Sequence, residues 1–185
     1  SAPKANAAPP QKIFIVFSYP YGQWSDGIVV GLSRYLQKTD ILFELKQYAY
    51  DSLKYDNRPK EEKNVEVTRI LKQVSDYRPD FIIACDDEGA DALIPAMKKL
   101  GIPLLFAGIN KEEADLRWLK GGGELTGVFE RYPIESSIKL LSNLTNGKVK
   151  NISLITSFNP TSVIIEKQFT DYFKRHRTRI TLKKV

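Results

Sequence analysis

A chain of 185 residues has room for one ordinary domain, or for one full domain and part of a second. Its 42% hydrophobic and 27% charged residues exclude disorder, collagen and coiled coil as the main state, and a lone cysteine, Cys85, excludes a disulfide framework or a multi-thiolate zinc site. The formal charge of +6 comes without a nucleic-acid motif or a stacking surface of interleaved aromatics, so nucleic acid is not an expected partner.

No apolar run approaches the ~20 residues that a membrane-spanning helix needs. Many cations fall late, at Lys167, Lys174, Arg175, Arg177, Arg179, Lys183 and Lys184, and read as a solvated helix end and edge strand. His176 lies among them and reads as exposed. A single histidine leaves a His-rich metal centre or a Ser-His-Asp triad hard to build.

Ser1–Pro10 is Ala/Pro-rich and aperiodic, and residues 1–11 read as a disordered lead-in. The run Lys12–Phe17 is continuously apolar after its first residue, as in a central strand covered on both faces. A loop, Ser18 to Trp24, leads to a helix from about Ser25 to Gln37 with Ile28, Leu32, Tyr35 and Leu36 on one face. Ile41–Tyr48 suits a strand nearer the sheet edge. After a polar loop with Asn57, Arg58 and Pro59, the apolar residues Val67, Ile70, Leu71, Val74 and Tyr77 recur at helical spacing.

Pro79 stops that helix and Asp80–Cys85 is the next buried strand. Asp86 to Gly89 turns into a third helix, in which a kink or a short first turn is expected at Pro95. Pro103–Ala107 is a fourth strand, closed by Gly108 to Asn110. A short helix is expected from Glu112 to Lys120, ended by Gly121 to Gly123, and then a fifth strand at Leu125–Phe129. Pro133 opens a helix with Ile134, Ile138, Leu141 and Leu144 on its face. Asn151–Thr156 reads as a strand, Asn159 and Pro160 open another helix, and Thr178–Val185 reads as a last strand.

This alternation specifies a doubly wound parallel α/β sheet with right-handed crossovers. Residues 12–129 form a first α/β lobe and 130–185 the start of a second. Two strands and two helices bury little core, so the second lobe reads as incomplete, cut short or completed by another copy in a homodimer.

In such sheets ligands bind at the carboxyl ends of the strands, at the switch point. The first rim loop there brings Ser18, Tyr19, Tyr21 and Trp24, aromatics suited to clamping a flat or apolar ligand. Trp24 is the strongest candidate, since it opens the first helix. Asp86, Asp87 and Glu88 follow the third strand. Three acids there include a natural helix cap, and a spare carboxylate can recognise an ammonium or other donor. Metal binding is weakly supported, because the acids lack a distant partner. Asn110, Ser157, Phe158 and Asn159 complete the rim, Asn159 doubling as a helix cap. Cys85 reads as a small buried hydrophobe.

A phospho-receiver reading fails because the first loop carries no acid, and no G-x-G-x-x-G or Walker-type loop is present. A hydrolase using Asp86 or Asp87 is the enzymatic alternative. A transcription-regulator core would need a helix-turn-helix, which Ser1–Pro10 cannot supply.

The segments Ile13 to Tyr19, Tyr77 to Ile83, Pro103 to Asn110 and Leu125 to Val128 resemble the first lobe of type I periplasmic binding proteins. They are most similar to the ABC-transporter substrate-binding branch, with its tryptophan/tyrosine-type receptors and related histidine-kinase sensor domains. The resemblance runs from about Lys12 to Phe173. It implies a non-enzymatic, extracytoplasmic protein without a cofactor, capturing an amino acid or other small metabolite between two lobes that close near Val128–Pro133. The implied partner is an ABC permease or, in a sensing role, a kinase. The implied cleft is the Ser18–Trp24 loop, Asp86 to Glu88, Asn110, and Ser157 to Asn159.

Overall fold

The computed structural model describes residues 9–55, 58–120, 123–157, 159–176 and 179–184. Most of the Ser1–Pro10 lead-in, Asn57, Gly121, Gly122, Phe158, Arg177, Thr178 and Val185 therefore lie outside the described residues. The chain divides into two compact units, Ser1–Phe129 and Glu130–Val185.

The first unit carries strands β1 (Gln11–Phe17), β2 (Phe43–Ala49), β3 (Phe81–Cys85), β4 (Leu104–Ile109) and β5 (Leu125–Phe129). Its helices are α1 (Gln23–Leu36), α2 (Ser52–Tyr55), α3 (Lys60–Tyr77) and α4 (Asp87–Met97). All strands pair in parallel in the order β2-β1-β3-β4-β5. The order reverses between β1 and β3, which makes their carboxyl ends the switch point where open α/β sheets take ligands.

Strand periodicity sorts the core. Phe14 and Val16 of β1, Ile82 and Ala84 of β3, and Leu104 and Phe106 of β4 fill one face, with Ile70 and Val74 of α3 and Leu93, Ile94 and Met97 of α4. Ile13, Ile15, Phe17, Ile83 and Cys85 fill the other, against Ile28, Val29, Leu32 and Leu36 of α1. Helices on both faces explain why these strands read as continuous apolar runs rather than alternating ones.

Several local features differ from the sequence reading: α1 begins at Gln23 and so takes in Trp24, α2 is an additional short helix, and the others concern β1, β4, the Glu112–Lys120 segment and the end of α4. Strand β1 begins at Gln11, inside the expected lead-in, because the Gln11 amide donates to Leu42 O at 2.8 Å and enters the ladder with β2. Strand β4 continues through Gly108 to Ile109, with a register shift against β5 that Gly108 absorbs at φ +70°. The Glu112–Lys120 helix is instead two 3-10 turns, Glu113–Asp115 and Arg117–Leu119. Leu116 and Trp118 are both buried, and residues two apart cannot share one face of a continuous α-helix. Helix α4 runs past Pro95 to Met97, then tightens into a 3-10 turn at Lys98–Leu100 that Gly101 ends at φ +67°.

The second unit contains α5 (Ile134–Leu144), β6 (Asn151–Leu154), α6 (Pro160–Arg175) and β7 (Thr181–Lys184). Strands β6 and β7 pair in parallel, Asn151 opposite Thr181, with α6 as the crossover. Asn159 caps α6 by accepting from the Ser162 amide at 2.8 Å, with Pro160 in the first turn. His176 ends the helix exposed, stacked on Tyr172 at 4.4 Å.

Candidate ligand-binding rim

The rim is assembled from the ends of β1, β3 and β4. Ser18 follows β1 and is fully buried; its hydroxyl donates to Cys85 O at 2.8 Å and accepts from the Gly89 amide at 2.6 Å. Gly89 is the third residue of α4, so a serine from another strand performs the capping that a residue just before the helix would usually supply. The approach requires glycine: a Cβ at Gly89 would lie 2.6 Å from Ser18 Oγ and 3.2 Å from its Cα.

Because Ser18 serves that amide, the Asp86 side chain makes no cap hydrogen bond to α4, although the residue occupies the cap position and its carbonyl accepts from the Ala90 amide at 3.1 Å. Its carboxylate Oδ1 instead accepts from Trp24 Nε1 at 2.9 Å. The Asp86 backbone lies at φ +66°, ψ 164°, a region open almost only to glycine that costs about 1–3 kcal/mol for other residues. Gly108 sits beneath this pair. A Cβ there would come within 3.1 Å of Asp86 Oδ1 and 3.2 Å of the Trp24 ring. The indole is half-exposed while Asp86 is 7% exposed, so an open aromatic surface adjoins a shielded carboxylate.

Asp87 is turned to the interior at 2% exposure. Its two oxygens accept from the amides of Asn110 and Lys111, each at 3.1 Å, and so fasten the β4 exit to the start of α4. The expected capping and ligand roles of the acids thus divide: Asp87 orders the rim, Ser18 caps the helix, and Asp86 faces Trp24. Glu88 accepts from the Tyr19 hydroxyl at 2.8 Å, tying the first loop to α4. Tyr21 is largely exposed, with its ring edge-on to Phe17 at 6.2 Å. Partial burial raises its phenol pKa, and a backbone hydrogen bond to Ala49 opposes that shift. Asn110 is buried, and its side-chain amide donates to Gly108 O at 3.3 Å.

Lys111 is the cation that sequence reasoning missed. Its ammonium pairs with Asp91. Burial pushes its pKa down, but the Asp91 hydrogen bond and charge, with the charges of Asp87 and Glu88, outweigh it and leave the pKa raised. The acidic character of this rim is therefore only partly offset. Burial, aided by the Asp86 charge, raises the Cys85 thiol pKa to about 12, so it remains a neutral hydrophobe at ordinary pH.

In the second unit, Asn159 Nδ2 donates to Ser157 Oγ at 2.7 Å, and Ser157 Oγ lies 3.2 Å from Ser162 Oγ. Phe158 lies outside the described residues. The structure thus joins Ser18, Tyr19, Trp24, Asp86, Asp87, Glu88 and Asn110 around one sheet end, and places Ser157 and Asn159 together at a helix start. Among the described residues, no group of three or more His, Cys, Asp and Glu side chains could hold a metal ion, and no helix is long and apolar enough to cross a membrane. Gly108 and Gly89 stood in the sequence only as residues that close a strand or a turn; their close approach to Trp24, Asp86 and Ser18 was not legible there.

The chain matches the family model described as ABC transporter substrate binding protein over residues 26–183. No curated protein matches it. Among solved structures, it is similar to an ABC domain in complex with L-Trp from Streptococcus pneumoniae, at 22% identity and a TM-score of 0.57, covering 96% of this chain. A conserved domain protein from Vibrio cholerae is similar at 15% identity and a TM-score of 0.62, again over 96% of this chain. CD0873, a substrate binding protein with adhesive properties from Clostridium difficile, is similar at 16% identity and a TM-score of 0.59 over 95% of it. The chain spans 57% of the length of each. These likenesses show the fold, a periplasmic-binding-protein lobe built on a parallel sheet, and the family match shows the lineage. The chain belongs to the ABC transporter substrate-binding protein family.

Proposed function

We propose that this chain is an extracytoplasmic solute-binding protein that captures a small molecule at the β1/β3 rim for delivery to an ABC permease. The observation that carries the reading is the Trp24–Asp86 pair at the switch point. An exposed indole offers a π face, and an acid in a conformation that is costly for any residue but glycine offers a charge beside it. Strain of this kind is retained where the surrounding structure over-determines it, and ligand clamps are such places. The rim's surplus of carboxylates favours a ligand with an ammonium or other donor-rich group, an amino acid among them. The reading is of binding, with no turnover: Asp87 is spent on backbone amides and Cys85 is held as a neutral thiol.

A tryptophan-fluorescence titration with amino acids and related small amines tests this. Trp24 is half-exposed and Trp118 is 7% exposed, so a ligand at the rim changes the Trp24 signal. Saturable quenching or a blue shift that Trp24→Phe abolishes, and that Asp86→Asn weakens about tenfold or more, is the expected result. A flat response across the panel, or one untouched by Asp86→Asn, overturns it.

A further inference from the structure

A concavity lies along the flank of α4, and none of Trp24, Asp86 or Asn110 lines it. It has a volume of about 830 Å³ and is walled by Lys98, Lys99, Arg117 and Lys120, with Asp91 and Asp115 as its acids. We propose that it binds a small multivalent anion carrying neighbouring phosphate or carboxylate groups.

Three observations support this occupant. The first is charge balance. Asp91 already accepts from Trp118 Nε1 at 2.7 Å and pairs with Lys111, which leaves Asp115 as the acid facing four cations. Among the described residues, none of those four enters an ion pair. Clustered like charges repel, and a walled concavity strengthens their field toward an anion.

The second is preorganisation. Lys98 Nζ donates to Trp118 O at 2.9 Å and Lys120 O at 3.2 Å, neutral acceptors that fix the ammonium while leaving its charge and one proton available. The turn supplying those carbonyls is anchored in turn by Trp118, which packs edge-on against Phe106 at 5.3 Å. The third is size. A volume of this order suits a small molecule, and the exposed Glu112 and Glu113 at the start of the Glu113–Asp115 turn disfavour a broad polyanionic surface such as nucleic acid.

Isothermal titration of the chain at fixed ionic strength, with inorganic pyrophosphate in one arm and citrate in the other, tests the site. Saturable one-to-one binding in at least one arm is expected, and the stronger arm identifies phosphate or carboxylate as the group preferred. In the double variant Lys99→Gln/Arg117→Gln, which alters exposed side chains, affinity is expected to fall about tenfold or more. Arg117→Lys, which keeps the charge, is expected to retain most of it, and this separates lost electrostatics from lost folding. Absence of saturable heat in both arms, or equal affinity in the double variant, overturns the proposal. The outcome is independent of the rim reading, whose probe is a fluorescence change at Trp24.

Discussion

Of the hydrophobic side chains buried among the described residues, those of Ser1–Phe129 fill both faces of a five-stranded sheet, while Glu130–Val185 contributes Ile134 at 9% exposure. In the second unit Leu140, Leu144, Ile155 and Val163 are 60–80% exposed. The two units share the same local rules: parallel strands, a crossover helix and apolar positions at helical spacing. What separates them is the number of strands and helices that these residues supply to each unit. A central strand flanked by two others and covered on both faces loses nearly all contact with water; a two-stranded sheet has only edge strands and gains far less.

The largest expected effect tests that contrast directly. Phe14→Ala removes a ring with 0% exposure from the centre of β1 and should cost about 3–5 kcal/mol, read as a lower urea midpoint. Leu144→Ala, at 74% exposure, should stay within about 0.5 kcal/mol. Equal shifts in the two variants would remove the distinction drawn between the units.

A smaller effect compares the two helix caps. Asn159 caps α6 from the adjacent position in sequence, whereas Ser18 reaches α4 from a strand 71 residues away. Asn159→Ala forfeits one partly exposed cap and should cost about 1 kcal/mol. Ser18→Ala strands a buried amide at Gly89 and one acceptor position at Cys85 O, and should cost about 1–3 kcal/mol. If Ser18→Ala were the milder change in thermal or urea unfolding, its role in ordering the rim would be misassigned.

These caps also show what the sequence could reveal. The apolar runs at Ile13–Phe17 and Phe81–Cys85 and the helical spacing of Val67 to Tyr77 announce elements because each signal is local, and alternating elements then imply the parallel sheet. Asn159 before Pro160 is equally local, and the structure finds it capping. Asp86 and Asp87 look alike in sequence, yet one faces an indole and the other holds two backbone amides. Their difference depends on Ser18, Trp24 and Asn110, which are brought together only by the order of β1, β3 and β4. Position on the rim was legible; the division of labour was not, because long-range pairing sets it. The Glu112–Lys120 segment failed for a related reason, since burying both Leu116 and Trp118 took precedence over its helical tendency.

The finest test uses Cys85 as a reporter of how dry the first unit's core is. Burial raises the pKa of its thiol from 9.0 to about 12, and the Asp86 charge adds to that shift. In the unfolded chain the thiol ionises at the lower value, so the unfolded state gives up its proton first as pH rises. The contribution of Cys85 to stability is therefore complete below about pH 9 and is lost progressively toward pH 12. Between pH 9 and 10 the loss is about 1 kcal/mol. Other groups titrate in this range, Tyr48 among them, with its phenol raised to about 12 by burial and by its hydrogen bond to Glu66. The informative quantity is thus the difference between the native chain and Cys85→Ala, which shares those other groups. Urea unfolding at pH 8 and pH 10 should show the native chain losing about 1.4 kcal/mol more than the variant. Identical pH dependence would mean that water reaches the end of β3, and the rim above it would then be a wetter and weaker electrostatic site than its buried carboxylates suggest.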